Sequence, residues 1–186
     1  IPFDGTMNVV PNTKINISFS DPIDTTSVTT SGNIKLYSLN NAGTATLANS
    51  SATLDTSQKI AIITPQTALT AGKYRVVVTG ALKSATGIFM GDPGASQNTS
   101  SYEVFKSHFE VGANTAADNT KPTVKGTWPA TNATGIAVNP GALNIQFSEG
   151  MDPTTVNATT ITLKKGTSQV TGNVNYDPMS NSATFS

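Results

Sequence analysis

The chain has 186 residues, of which 37% are hydrophobic and only 12% are charged, and its formal net charge is zero. This balance gives no electrostatic footprint for nucleic acid, and no apolar run approaches the roughly 20 residues of a membrane helix. We therefore predict neither nucleic-acid binding nor membrane insertion. The absence of cysteine excludes disulfides, thiolate metal sites and a cysteine nucleophile.

Alternation of apolar and polar residues dominates the first part of the chain. Ile15, Ile17 and Phe19 alternate with polar residues, which is typical of a strand buried on one face. The same alternation predicts strands over residues 73–79 and 102–111, whose inward-facing side chains would be Tyr74, Val76, Val78, Phe105, Phe109 and Val111. No stretch keeps a helical period, so the pattern predicts an all-β protein.

Two features mark the end of this first part. Tyr74 stands near the start of the penultimate strand, which resembles the tyrosine corner of immunoglobulin-like sandwiches. Residues 83–101 form a long loop rich in Gly, Ser, Asn and Ala before the last strand. The apolar loop residues Ile88, Phe89 and Met90 either fold back over the sandwich end or form a contact patch, and we predict them as binding residues.

A ten-residue phrase then occurs a second time. FSDPIDTTSV at 19–28 returns as FSEGMDPTTV at 147–156, at a constant offset of 128 (147 minus 19). Self-similarity at a fixed period indicates two copies of one module. The register predicts an Ig-like domain over 1–113 that lacks most of its first strand. A linker over 114–121 and a second domain over 122–186 that lacks its last two strands would follow.

This truncated register leaves two explanations open. The chain is a segment cut from a longer array, or strands from neighbouring chains complete the open domains, as in donor-strand complementation. Both explanations predict that other domains of the same protein, or neighbouring copies in an array, are its partners.

The repeated phrase brings acidic residues to the same corner of each copy, and these are Asp21, Asp24, Glu149 and Asp152. Calcium takes oxygen ligands from carboxylates, so a calcium site is one hypothesis, with the linker residue Asp118 as a further ligand. The local alternative is that Asp24 and Asp152 are N-caps of a single helical turn between two strands. We favour the caps.

Catalytic chemistry finds little support in the sequence. His108 is the only histidine, and its position in the alternation predicts that it faces solvent. Without a second histidine or a nearby acid pair it supports neither a zinc site nor a catalytic triad. Trp128 precedes Pro129 at a domain corner, where its ring would stack on a sugar or pack inside the protein. We predict no enzymatic activity and no catalytic residue.

The two phrases, each preceded by an alternating Ile/Leu strand, resemble the bacterial Ig-like repeat of S-layer and other large bacterial surface proteins. The segment TKPTVKGTWPATNATGIAV (120–138) is similar to the opening of those repeats. The resemblance implies tandem immunoglobulin-like (fibronectin-III-like) β-sandwiches, both incomplete at the chain ends. It also implies a non-catalytic spacer or assembly module of an extracellular, cell-surface or secreted protein.

Two alternative functions stay open at this point. The first is a role in cell adhesion as an adhesin or carbohydrate-binding module, which would use the 83–101 loop to hold cell-wall or host glycans. The second is an accessory segment of a secreted enzyme whose catalytic part lies elsewhere. Calcium is the one cofactor that the sequence suggests.

Overall fold

The computed structural model of the chain describes residues 2–91, 98–99, 101–113, 116, 118–137 and 141–186. Its contacts divide the chain into two compact units, Ile1–Asn119 (unit 1) and Thr120–Ser186 (unit 2). Strands make up nearly all of the regular structure, which confirms the all-β prediction. In this described part, no helix has the length and apolar character needed to cross a membrane.

Unit 1 is a sandwich of two sheets with one short helix. Its elements are β1 Thr6–Val9, β2 Ile15–Ser18, α1 Thr25–Ser31, β3 Ile34–Leu39, β4 Ala45–Leu47, β5 Ser50–Leu54, β6 Ile60–Pro65, β7 Gly72–Thr79 and β8 Glu103–Val111. One sheet has the strand order β1-β8-β7-β3-β4, and the other has the order β2-β6-β5. Only β1 lies parallel to its neighbour, β8, among the described strand pairs of this unit.

The inward faces of both sheets form one hydrophobic core. Leu36 of the first sheet and Ile63 of the second are completely buried, at 0% exposure. Tyr74 stacks on Phe109 with ring centroids 5.4 Å apart. The Tyr74 hydroxyl donates to the Thr70 carbonyl at 3.0 Å, which confirms the predicted tyrosine corner.

The prediction that Phe105 points into the core is wrong. Phe105 is 44% exposed, and Val104 packs against the core instead. Phe105 keeps the regular register that runs to Val111 and lies opposite the buried Val78, and the register shifts only after it, where Glu103 pairs with Thr79. The extra residue, Val104, forms a β-bulge that turns it toward the core, whereas the core does not extend over Phe105 at the end of the regular pairing.

Unit 2 is built from shorter elements. They are β9 Val124–Trp128, β10 Leu143–Phe147, a 3-10 turn Pro153–Thr155, β11 Leu163–Lys165, β12 Ser168–Val170, β13 Val174–Asp177 and β14 Ser182–Phe185. One sheet has the order β13-β14-β10-β9, and β11 and β12 form a separate hairpin. Phe147 meets Tyr176 edge to face at 6.2 Å in a small core. Strand β9 lies in the segment 120–138 that resembles the opening of the bacterial Ig-like repeat.

The two units share the order of their elements. In the repeat register, β2 corresponds to β10, β3 to β11, β5 to β13 and β6 to β14. The described residues of unit 2 contain no strand that corresponds to β7 or β8. Residues 134–137 align with β1 but form no strand, which is consistent with the pairing of β1 in unit 1, where its partner is β8.

Candidate functional site

The first repeated corner is a capped helix start. Asp24 is the N-cap of α1, and its Oδ1 accepts hydrogen bonds from the Thr26 backbone N–H at 2.9 Å and the Thr26 hydroxyl at 2.8 Å. The Ser27 hydroxyl donates to the Asp24 carbonyl at 2.8 Å. Two hydrogen bonds from Thr26 hold the pKa of Asp24 below its usual range. The bond from the Thr26 hydroxyl has the larger effect, and the bond from the Thr26 N–H has the smaller one.

The second corner repeats this geometry almost atom for atom. Asp152 Oδ1 accepts from the Thr154 N–H at 3.0 Å and from the Thr154 hydroxyl at 2.7 Å. The Thr155 hydroxyl donates to the Asp152 carbonyl at 2.7 Å. The predicted caps are therefore confirmed in both copies. The turn is longer than predicted in unit 1, where it extends into a seven-residue helix.

The other acids predicted as calcium ligands have different surroundings. Asp21 is exposed and its Oδ2 accepts from the Ser20 hydroxyl at 2.9 Å, whereas Glu149 is half-buried. Among the described residues, no three His, Cys, Asp or Glu side chains come together in a group that could hold a metal ion. The carboxylates of the described residues therefore form no cluster of the kind that calcium prefers, and calcium stays a prediction.

Asp118 contacts the turn before β2 through its backbone. The Asn12 side-chain amide donates to the Asp118 carbonyl at 3.1 Å, and the Asp118 N–H donates to Asn12 Oδ1 at 3.2 Å. This reciprocal pair holds the end of the predicted linker against the turn before β2. The rest of that linker includes residues 114, 115 and 117, which lie outside the described residues.

The corner of unit 1 borders an open groove of about 540 Å³. The groove lies between the repeated phrase and the start of the 83–101 loop, and its apolar lining includes Phe19, Pro22, Ile88, Phe89 and Met90. Ile88 is 70% exposed and Met90 is 40% exposed. The structure thus brings Asp21 and the three predicted binding residues to one concave surface.

Backbone pairing fixes this part of the loop. Residues 83 and 89 form an antiparallel bridge, and the Ser84 N–H donates to the Ile88 carbonyl at 2.8 Å. The Ala85 N–H donates to the Pro22 carbonyl at 2.8 Å, which joins the small hairpin to the repeated phrase. Residues 92–97 and 100 of the predicted loop lie outside the described residues.

One groove-side contact was not predicted from the sequence. The Lys83 ammonium lies 4.7 Å from the centroid of the Phe89 ring, a cation–π distance. The available signal was the hairpin pattern LKSATGIF, in which Gly87 has a φ of +86° and supplies the turn. A hairpin there places residues 83 and 89 opposite each other.

Trp128 lies at a second, smaller groove of about 190 Å³ in unit 2. Its side chain is 54% exposed. The apolar side chains around it are Leu143, Ile145, Ile161, Leu163 and Phe185. The prediction placed Trp128 at a corner, and the structure adds that the corner opens onto the apolar face of the unit.

His108 faces solvent as predicted, with 52% of its side chain exposed. Its backbone N–H donates to Asp4 Oδ1 at 2.7 Å, and its ring Nδ1 is 3.7 Å from the same oxygen. The contact ties the N-terminal segment to β8, and we find no nucleophile in the described contacts of the ring. The structure does not bring His108 to either groove.

Comparison with known proteins gives one family. Residues 1–104 and 118–186 match the family model described as bacterial Ig-like domain. No curated protein matches the chain.

Three solved structures of an S-layer protein are similar to parts of the chain. Domains 1–6 of surface layer protein SbsC are 18% identical over 67% of this chain and 14% of that chain, with a TM-score of 0.39. The longer crystal structure rSbsC(31-844) is 16% identical over 93% of this chain and 19% of that chain, at 0.39. The N-terminal part of SbsC is 16% identical over 93% and 33%, at 0.38. The chain spans a third or less of the length of each of these chains.

Proposed function

The chain belongs to the bacterial Ig-like domain family, and from that premise we propose that it is a non-catalytic spacer or assembly module of a bacterial cell-surface or secreted protein. The observation that carries the proposal is the family match in both copies, 1–104 and 118–186. Two modules in tandem along one chain are what a spacer or an array protein requires.

The use of the repeated polar residues supports the same function. The Asp24 and Asp152 side chains both cap the turns that follow them, so the most distinctive motif of the chain builds structure. These features favour a mechanical or assembly role over catalysis.

A display experiment tests the spacer function. The chain would be placed between a cell-wall anchor and an epitope tag on a bacterial surface, and antibody access to the tag would be measured. We expect the folded chain to raise the tag above the surface layer more than a Gly/Ser linker of equal residue number, because a linker coils back on itself. A Leu36→Asp chain, with a charge in the core, is the unfolded control. Equal access for all three chains would contradict the proposal.

The groove beside the 83–90 hairpin favours a second candidate, an adhesin or carbohydrate-binding module. The supporting observation is the 70% exposure of Ile88 at a groove of about 540 Å³. In that case Ile88→Ser and Met90→Ser would weaken retention on bacterial cell-wall fragments. Leu47→Ser, at a residue 62% exposed in β4 and absent from the groove lining, is the matched control. Equal retention of all variants would remove this candidate.

A further inference from the structure

We propose that the outer face of the five-stranded sheet of unit 1 binds a linear acidic polysaccharide, one whose repeating sugars carry carboxylates. This face is the side of β3, β7 and β8 that points away from the core, and we call it the basic face. The inference goes beyond the spacer function, and it uses residues that do not line the groove beside the 83–90 hairpin.

The strand register gathers positive charge on the basic face. Alternate residues of β7 point into the core, so the residues between them point outward. Lys35 and Lys106 are the two cross-strand neighbours of the outward Val77. Arg75 and Lys73 are the next outward residues along β7 itself. The basic face thus carries four of the eleven Lys and Arg residues of a chain whose formal net charge is zero.

Acidic residues neutralise this face only in part. Glu110 lies opposite Lys73, and Glu103 lies opposite Thr79, on the same three strands. Unit 1 has seven Lys and Arg residues against eight Asp and Glu residues, a net charge of −1 (7 minus 8). Its basic face nevertheless places four cations beside these two acids, so the positive charge of the unit is concentrated there.

Glu103 shows that the basic face can hold a carboxylate. The Lys106 ammonium lies 2.8 Å from Glu103 Oε2, and the Arg75 guanidinium lies 3.7 Å from Oε1. The hydrogen bond from Lys106, together with the charges of Lys106, Arg75 and Lys35, holds the pKa of Glu103 below its usual range. A carboxylate of a bound sugar would meet the same three cations.

Arg75 has hydrogen-bond donors that the protein does not use. Its distance of 3.7 Å to Glu103 is too long for a hydrogen bond, and its Nε is buried without a hydrogen-bond partner. The guanidinium lies 5.4 Å from the centroid of the Tyr37 ring, a cation–π contact that orients it. A ligand carboxylate can accept two parallel hydrogen bonds from such a group, and it would satisfy the unpaired donor as well.

A recess of about 290 Å³ adjoins the basic face at Lys73. His108 and Glu110 line it together with the apolar side chains of Met7 and Leu39. Apolar side chains beside a few charged ones suit a sugar ring, which has apolar C–H groups on its faces and polar groups at its edge. The recess therefore offers a place for one ring of the polymer.

The arrangement favours a polysaccharide over a nucleic acid. Sites for single-stranded nucleic acid combine cations with aromatic rings on which the bases stack. Tyr37 is the aromatic residue on the outward side of β3, and Arg75 already lies over its ring. Lys73 and Arg75 are about 7 Å apart along β7, so their charges form a row that a polymer with regularly repeated carboxylates can follow.

Binding of polygalacturonate to the full chain, measured by titration calorimetry at low salt, tests the inference. We expect saturable binding that weakens as salt is added, because salt screens exposed charges, and no binding of neutral dextran. Lys106→Gln should weaken the affinity by about fivefold, the effect of losing one exposed ion pair. Lys125→Gln makes the same charge change at an exposed residue of β9 in unit 2 and should bind as the parent chain does.

Two further variants separate this site from unspecific attraction. Glu103→Gln removes the carboxylate that competes with the ligand for Lys106 and Arg75, so the affinity should rise by about fivefold. Arg75→Lys keeps the charge but loses the paired donors, so the affinity should fall. Urea unfolding of each variant shows that the change in binding does not come from loss of the fold.

Four results would overturn the proposal. They are the absence of saturable binding by the parent chain, weaker binding by Glu103→Gln, an equal loss from Lys125→Gln and Lys106→Gln, and tighter binding of an oligo-dT strand than of polygalacturonate. Ile88→Ser, in the groove beside the 83–90 hairpin, should bind polygalacturonate as the parent chain does. None of these outcomes changes the surface-display result, so failure here is distinguishable from failure of the spacer function.

Discussion

The two copies build the same corner from the same atoms but differ in how far their cores are closed. Asp24 and Asp152 accept hydrogen bonds from a residue two positions later, with nearly equal distances. Leu36 and Leu163 are equivalent too, yet the first is completely buried and the second is not. Contacts within a few residues are thus specified by the local phrase, whereas burial depends on strands that lie far away in the sequence.

A third pair of equivalent residues, Asn33 and Thr160, keeps the same hydrogen bond in both copies but differs in burial. In unit 1 the Asn33 amide donates to the Ser27 carbonyl at 3.2 Å. In unit 2 the equivalent of Asn33 is Thr160, whose hydroxyl donates to the equivalent carbonyl, that of Thr155, at 2.6 Å. The interaction is kept although the residue changes, but Asn33 is buried and Thr160 is exposed.

The largest difference in stability between the two copies is expected when the equivalent leucines, Leu36 and Leu163, are each replaced by alanine. Leu36→Ala should lower the free energy of unfolding by about 2–5 kcal/mol, because it leaves a cavity in a closed core. Leu163→Ala should cost about 1 kcal/mol, since less apolar surface is buried there. Urea unfolding followed by circular dichroism measures both, and Trp128 fluorescence reports unit 2. Equal losses would show that the core of unit 2 is as closed as that of unit 1.

The next largest loss of stability is expected from substituting Asn33, whose side-chain amide is buried. Asn33 Oδ1 also accepts from the Thr79 hydroxyl at 2.9 Å. Asn33→Ala would leave that hydroxyl and the Ser27 carbonyl without these partners in a buried site, at a cost of about 1–3 kcal/mol. Thr160→Val removes an exposed bond and should cost less than about 1 kcal/mol, because water replaces the donor. Urea unfolding measures both losses of stability. A larger loss for Thr160→Val than for Asn33→Ala would contradict the expected difference between the buried and the exposed site.

These pairs also show what the sequence could predict. The caps and the tyrosine corner depend on residues two to four positions apart, so the local pattern was sufficient. The burial of Phe105 was predicted wrongly, because a period of two assigns a residue to a face of the strand but does not tell how far the core extends along β8. The parallel pairing of β1 with β8 joins residues about a hundred positions apart, and no local pattern encodes it.

The groove residues divide in the same way. Ile88 and Trp128 were predicted as binding residues from their apolar character in a loop and at a corner. Their neighbours Phe19 and Leu163 were not predicted as groove residues. Tertiary packing decides which elements border a groove, and the local sequence does not show it. The repeat register was the one long-range signal in the sequence, and it aligned the two cores correctly.

A smaller loss of stability is expected at high pH, and it should be confined to unit 2. Burial raises the pKa of Tyr176 above its usual value of 10.0, and its hydroxyl oxygen accepts from the Met151 N–H at 2.8 Å. Because the folded-state pKa is the higher one, this contribution to stability is complete below about pH 10 and is lost as the pH rises further. Tyr176→Phe should be less stable than the parent chain at neutral pH and should lose less between about pH 9 and 11.

Thermal unfolding at these two pH values, followed by Trp128 fluorescence, measures the effect. The control is Tyr102→Phe, at a residue 44% exposed in unit 1. If the parent chain and Tyr176→Phe lose the same stability over this range, the tyrosine is not the group responsible.

The smallest expected effect separates the cap from the calcium site at the repeated corners. Asp24→Asn and Asp152→Asn keep an oxygen that accepts from the N–H two residues later, and asparagine is as good an N-cap as aspartate. If capping is the role, both variants should unfold at nearly the parent temperature at neutral pH, whereas the Ala variants should unfold lower. Because hydrogen bonds hold the pKa of Asp24 low, its contribution is present above its unfolded-state pKa and is lost as the pH falls through the lower folded value.

Calcium makes the opposite prediction for the same variants. A metal site depends on carboxylate charge, so Asp→Asn would lower affinity as strongly as Asp→Ala, and added calcium would raise the unfolding temperature of the parent chain alone. A cap predicts no change with calcium or with EDTA in any of these chains. Since both copies carry the corner but only unit 1 extends it into a helix, the Ala substitution should have the larger effect at Asp24, where more unpaired N–H groups follow the cap.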